Sequence, residues 1–169
     1  KIAVETGETD YTAEALAPFD PRAISATAME ALRNQAAKER APEDLLKLSD
    51  AELLSTLGLV RHGKLTRAGL LLAGTEAAIR EYVPGHNWTF LQMTSDTEYG
   101  IREDRVSALP LSVQRIEELL VPFNPITTYE QGLFHYDYRT WPEIAVREAL
   151  MNAFCHADMR IAGPTRATL

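Results

Sequence analysis

Residues 49–74 constrain this chain more than any other stretch, because helix start and stop signals crowd into them. Ser49-Asp50-Ala51-Glu52 has the form of a capping box. The serine oxygen accepts from a free amide of the first turn, and the glutamate reaches back to the serine amide. Leu53, Leu54 and Leu57 supply an apolar face, and Gly58 ends the helix by taking a conformation costly for other residues. Leu59-Val60 and then Arg61-His62-Gly63-Lys64-Leu65 predict a short strand, a turn at Gly63 and a return. Thr66 caps a third helix, Arg67–Ala73, closed by Gly74. Helix, tight hairpin and helix at this spacing are compatible with a small module of winged-helix type.

The remaining signals make the chain α+β. Residues 1–19 are acidic and irregular, with Glu5, Glu8, Asp10 and Glu14 against Lys1, and read as a linker or a strap lying on the next domain. Asp20-Pro21 opens a helix, and Ile24, Ala28 and Leu32 recur along one face of it to about Ala37. Residues 88–93 alternate and carry aromatics, which predicts a strand, with residues 101–106 as its partner. Pro110 opens a helix carrying Val113, Ile116, Leu119 and Leu120, stopped by Pro122 and Pro125. Residues 133–138 alternate again. Trp141-Pro142-Glu143 begins the strongest helix, ending near Ala157, and residues 163–169 lead into a further strand. Trp88, Phe90, Tyr136, Tyr138 and Trp141 are expected in the core or at a domain interface. The expected division is a mostly helical connector, residues 1–80, and a mixed α/β segment, residues 81–169.

Bulk properties limit the function. A hydrophobic content of 46% supports a packed core. The net charge of -7 argues against a nucleic-acid surface within these residues, since phosphate binding relies on clustered Lys and Arg. Arg61, His62, Lys64 and Arg67 form a small basic cluster at the hairpin. A wing touching phosphates has this composition, and so does a solvated turn, which the acidic balance favours. The single cysteine, Cys155, excludes an intrachain disulfide and suits a reducing, cytoplasmic setting; core packing is its default role. No apolar run approaches the ~20 residues that span a bilayer, so no membrane is expected as a partner. His62, His86, His135 and His156 lack zinc-ligand spacing, and no Walker-type phosphate loop occurs.

Glu148, Asn152 and His156 recur every four residues on the last helix and share one stripe, while Leu150 and Phe154 form an apolar one. A carboxylate and an amide oxygen one turn apart suit a hard cation such as Mg²⁺, which prefers oxygen ligands and keeps several waters. The carboxylate can also orient or deprotonate a water for attack on a phosphate. On spacing alone, a solvated helix face accounts for these residues equally simply, and it is the commoner case.

The segment Arg147-Glu148-Ala149-Leu150-Met151-Asn152-Ala153, followed by His156 and Asp158, resembles a motif of putative transcriptional regulators labelled RecG-related. A second match lies in Leu53-Leu54, Gly58-Leu59-Val60, Gly63-Lys64-Leu65-Thr66 and Ala68-Gly69-Leu70-Leu71-Leu72-Ala73-Gly74. Such proteins carry an N-terminal Schlafen/AlbA-type domain, a middle region and a C-terminal GHKL-type ATP-binding domain. The resemblance implies that this chain covers the middle region and the start of the ATP-binding domain. It implies Asn152 as the ligand of Mg²⁺ bridging the ATP phosphates and Glu148 as general base, with Ala153, His156 and Asp158 completing the matched nucleotide-binding segment. Two departures stand out. Ala157-Asp158-Met159 replaces the family's Arg-Asp-Tyr, and neither an Asp-x-Gly-x-Gly motif nor a glycine-rich lid follows. These residues by themselves are therefore expected neither to bind ATP nor to act as an enzyme. The implied function is part of a DNA-associated transcriptional regulator, reaching DNA through an N-terminal domain absent here, with a homo-oligomer left open. A protein-interaction or dimerisation module with a degenerate helix, and a GHKL-type ATPase, are the alternatives.

Overall fold

The structure is a computed structural model and describes residues 10–161 and 163–169. The strap expected of residues 1–9 lies outside them. Residues 10–19, expected as the rest of it, are regular instead. Asp10 caps a 3-10 turn, Tyr11–Ala13, and β1 (Ala15–Pro18) follows. Asp20 caps a second 3-10 turn, Pro21–Ala23, and the helix itself starts only at Ser25, whose hydroxyl accepts from the Ala28 amide. Ile24 thus lies between two caps and bridges to Gly74 rather than sitting on the helix face. Ala28 is buried at the start of α1 (Ala26–Lys38).

The short α2 (Glu43–Leu46) leads to α3 (Asp50–Thr56), where both halves of the Ser49–Glu52 capping box form. Arg33 on α1 holds this turn, donating to the carbonyls of Leu46 and Leu48 and to Asp50, each at 2.7 Å. Leu53 and Leu54 are buried, but Leu57, expected beside them, is 45% exposed because it is the C-cap and leaves the helix face. β2 (Val60–Arg61) and β3 (Lys64–Thr66) form the hairpin around His62 and Gly63, both at positive φ. A two-residue turn of that kind matches the strand twist. β1 joins as a third strand, in the order β1-β3-β2. Arg67 is not part of a free basic cluster: its guanidinium pairs with Glu14 and lies over the Tyr11 ring at 4.0 Å.

Thr66 caps α4 (Arg67–Ala73), and Thr75 caps α5 (Glu76–Tyr82), a helix that straddles the expected 80/81 division. A core cluster also crosses that position: Ala28, Leu65, Leu70, Ile79 and Val83 pack with Val106, Ala108 and Met159.

β4 (Trp88–Met93) pairs antiparallel with β5 (Tyr99–Arg105) as the alternation predicts. α6 (Leu109–Leu120) follows, then a hairpin of β6 (Ile126–Gln131) and β7 (Phe134–Arg139). α7 (Glu143–Cys155) leads to β8 (Thr165–Thr168), which pairs parallel to β4 and gives the order β5-β4-β8. Trp88 and Phe90 on one face of β4 are fully buried with Val113, Ile116, Leu150 and Phe154. Tyr136 and Tyr138, expected inside, are about half-exposed, because among the described residues the β6–β7 ribbon is a two-stranded sheet with no third strand. Buried Asn124 ties its base: the side chain donates to the Trp141 carbonyl (2.7 Å) and accepts from the Trp141 amide (3.0 Å). Among the described residues no helix is long and apolar enough to cross a membrane.

Gly85 and His86 fix the entry to β4. A Cβ on Gly85 would lie 2.0 Å from the Met159 carbonyl oxygen, so only glycine lets the two backbones meet. Gly85→Ala is expected to lower stability by about 1–3 kcal/mol, read as a lower urea midpoint. The His86 ring nitrogen Nε2 lies 2.8 Å from the Ser107 carbonyl, to which it donates as neutral imidazole. Burial pushes His86 below its ordinary value of 6.5, so the folded chain stays neutral where the unfolded chain takes a proton. This contribution to stability is whole above pH 6.5 and shrinks as pH falls below it. Proton NMR is expected to show His86 titrating below the ordinary histidine value of 6.5, and His86→Gln to remove part of the stability loss on mild acidification. A His86 that titrates at or above 6.5 would refute this.

Candidate functional site

α7 forms because alanine, leucine and methionine dominate it, with Ala145, Ala149, Leu150, Met151 and Ala153 all favourable to helix. Pro142 occupies the N-cap position, and Glu143 in the first turn complements the helix dipole. Leu150 and Phe154 bury against Trp88, Phe90, Val113 and Ile116, and the Phe154 and His86 rings lie 6.0 Å apart. Arg147 adds a lateral tie to α6 through Glu117, at 3.0 Å.

The docking of that face decides where the candidate residues go. Glu148, Asn152 and His156 are all exposed, the first two turned away from Leu150 and Phe154. His156 is the C-cap, its amide donating to the Asn152 carbonyl at 3.0 Å. Ala153 is exposed between the stripes. Asp158 lies beyond the helix and is held by Arg160, whose Nε and Nη2 donate at 2.8 and 2.9 Å. Those hydrogen bonds keep the Asp158 carboxyl below its ordinary range. The structure thus brings Glu148, Asn152 and His156 onto one outer surface, while Asp158 is committed to Arg160. Cys155, expected in the core, is exposed because it lies a step round the helix from buried Phe154.

Among the described residues, the Glu148 and Asn152 side chains form no hydrogen bond or ion pair, so their oxygens are free to accept. Their donor set, one carboxylate and one amide oxygen, fits Mg²⁺ only if waters and ligand oxygens complete the shell. Consistently, no group of three or more His, Cys, Asp or Glu among the described residues can hold a metal ion. Neither residue lines a concavity described below. A cleft of about 330 Å³ opens beside the first half of α7, and its charges are paired, Arg147 with Glu117 and Arg139 with Glu143. A second, of about 470 Å³, lies on the β5–β4–β8 sheet and gathers Arg80, Arg102, Arg105 and Arg166. Sequence reasoning passed over these arginines. The alternation of Arg102 and Asp104 along a strand was the available signal, but Arg80 and Arg166 join them only through tertiary structure.

A family model described as a domain of unknown function (DUF8451) matches residues 2–89. The chain belongs to this family. The DUF8451 match ends at Thr89, inside β4, so α7 lies beyond it. No curated protein matches the chain. Its structure is similar to the crystal structure of the DIP2311 protein from Corynebacterium diphtheriae, with a TM-score of 0.73 and 19% identity. The similarity covers 98% of this DUF8451 chain and 32% of that protein, so the chain spans about a third of its length. At that identity the likeness is one of fold.

If the outer stripe of α7 serves a ligand rather than the fold, removing its side chains leaves stability nearly untouched. Glu148→Gln and Asn152→Ala are each expected to shift the unfolding free energy by less than about 0.5 kcal/mol. Phe154→Ala is expected to cost about 3–5 kcal/mol. A loss above about 1 kcal/mol in either stripe variant would show a structural role.

Proposed function

We propose that the chain is part of a DNA-associated transcriptional regulator that binds ATP, with α7 as the first helix of its nucleotide site. The observation that carries this reading is the pair Glu148 and Asn152, exposed, uncommitted and one turn apart on the face opposite the core. Asn152 would hold Mg²⁺ through its amide oxygen. The ion, when bound, neutralises charge on the nucleotide phosphates. Glu148, one turn earlier, orients water and accepts its proton. The net charge of -7 favours placing DNA contact on another domain of the intact protein.

A second reading, a protein-interaction or dimerisation helix, draws on Ile144 and Met151. Both are exposed on α7, Ile144 at 76%, and an apolar outer face suits a partner. A third, a GHKL-type ATPase, shares the stripe and adds turnover.

Calorimetric titration of the intact protein with ATP and Mg²⁺ separates these readings. Nucleotide binding is expected to weaken at least about tenfold in Asn152→Ala, a loss of about 1.4 kcal/mol. Glu148→Gln is expected to bind ATP while losing any hydrolysis that the parent shows. An intact protein that binds no nucleotide overturns the proposal in favour of the interaction helix. DNA retention by the intact protein is expected to fall steeply with salt.

A further inference from the structure

The β5–β4–β8 sheet packs α6 and α7 against the face that carries Trp88 and Phe90. Strand register places Thr89 opposite both Asp104 and Arg166, and Leu91 opposite Arg102. Side chains alternate along a strand, so these residues lie on the face away from buried Trp88 and Phe90. There the 470 Å³ cleft is lined by Arg102 of β5, Arg166 of β8 and Arg80 of α5, against one acidic residue, Asp104, with Arg105 at its margin, where register sets it opposite Trp88 and its guanidinium pairs with Glu103. Four arginines against Asp104 give the lining a formal +3, but Arg80 and Arg105 are matched by Glu76 and Glu103 outside it, which leaves Arg166 as the charge without an ion pair among the described residues.

The arginines are held in different ways. Arg102 donates through Nε to Asp104 at 2.7 Å, and the Thr89 hydroxyl donates to the same carboxylate at 2.6 Å. These hydrogen bonds, Arg102 first, keep the Asp104 carboxyl below its ordinary range, so the anchor stays charged. Arg80 is paired with Glu76 at 2.8 Å, and Arg105 with Glu103. Arg166 forms no hydrogen bond or ion pair among the described residues. A guanidinium carries five N–H donors, so a single carboxylate partner orients it without exhausting it.

The geometry points to a binding site for a small phosphorylated molecule in this cleft, with Arg166 and Arg102 as its principal contacts. A volume of about 470 Å³ accommodates a nucleotide-sized ligand. Forked guanidinium donors match phosphate oxygens, and Leu91 and Pro164 add apolar wall for the rest of the molecule. A long polyanion is disfavoured, because outside the cleft it meets the acidic balance of the chain. The site is separated from the Glu148–Asn152 stripe by the sheet and its core, and does not rest on the nucleotide reading of α7.

Pyrophosphate without metal, titrated calorimetrically into the full chain at low salt, tests the site. Saturable binding is expected, weakened at least about tenfold by Arg166→Ala and by Arg102→Ala. It should be unchanged in Arg22→Ala, an exposed arginine paired with Asp20 and outside the cleft. Arg166→Ala removes a side chain that forms no hydrogen bond or ion pair among the described residues and acts on Asp104 only through its charge, so matched thermal melts certify its fold. Absence of saturable binding overturns the assignment, as does equal weakening by Arg22→Ala. Loss in Asn152→Ala but not Arg166→Ala moves the anion to α7 and leaves the nucleotide reading standing. Duplex DNA that binds more tightly than pyrophosphate through Arg166 replaces the small ligand with a nucleic-acid backbone.

Discussion

Burial of Trp88 and Phe90 against α6 and α7 is the interaction on which the second half of the chain depends. Truncating a buried aromatic costs about 3–5 kcal/mol, whereas an exposed ion pair contributes at most about 1 kcal/mol. Apolar packing therefore decides which face of each element points inward, and charges settle around that choice. On β4 the period of two sends Thr89 and Leu91 to the side opposite Trp88 and Phe90. On α7 the helical period sends Glu148 and Asn152 outward once Leu150 and Phe154 turn in. Both candidate surfaces are thus reverse sides of one core.

Polar groups do a different task in this fold, tying neighbouring elements to one another around the apolar core. Glu103 joins β5 to α6 through Arg115, at 2.9 and 3.0 Å, and those hydrogen bonds keep its carboxyl below the ordinary range. Ser112 is buried and bonds the carbonyls of Ser107 and Ala108, stitching the start of α6 to the end of β5. Arg33 satisfies carbonyls that the four residues of α2 leave open. The Ser112 and Arg33 ties replace backbone solvation lost on folding, while Glu103–Arg115 is an ion pair between side chains.

Much of the local structure was legible because it rests on short-range chemistry. The Ser49–Glu52 box, the Thr66 cap and the turn at Gly63 involve neighbours in sequence, and each forms as read. Where two caps compete, as Asp20 and Ser25 do, sequence cannot say which starts the longer helix, and Ile24 was misplaced by that choice. The cap at Thr75 was present but unread, so α5 went unnoticed. Coverage is less legible than periodicity. The alternation in residues 133–138 correctly marks a strand, yet nothing in it reveals that Tyr136 and Tyr138 are left about half-exposed. For the same reason the outward stripe of α7 was readable from spacing, while the arginine cleft, drawn from α5, β5 and β8, was not.

The helical connector and the mixed segment expected from the order of helices and strands share one core cluster, and the backbone contact at Gly85 joins them. Met159, just after α7, is buried in the cluster built from Ala28, Leu65, Leu70 and Ile79 of the first half. Its carbonyl lies where a side chain on residue 85 would have to go. The segment leaving His156 is therefore clamped against the loop that starts β4 before it turns into β8. Farther on, β8 pairs parallel to β4 from Trp88 to Leu91. Arg166 and the Glu148–Asn152 stripe thus flank one anchor point along the chain, Met159 against a glycine well outside either surface. A fold arranged this way transmits a packing error at residue 85 to both surfaces, while a change on either outer surface stays local, because the rigid apolar layer lies between them.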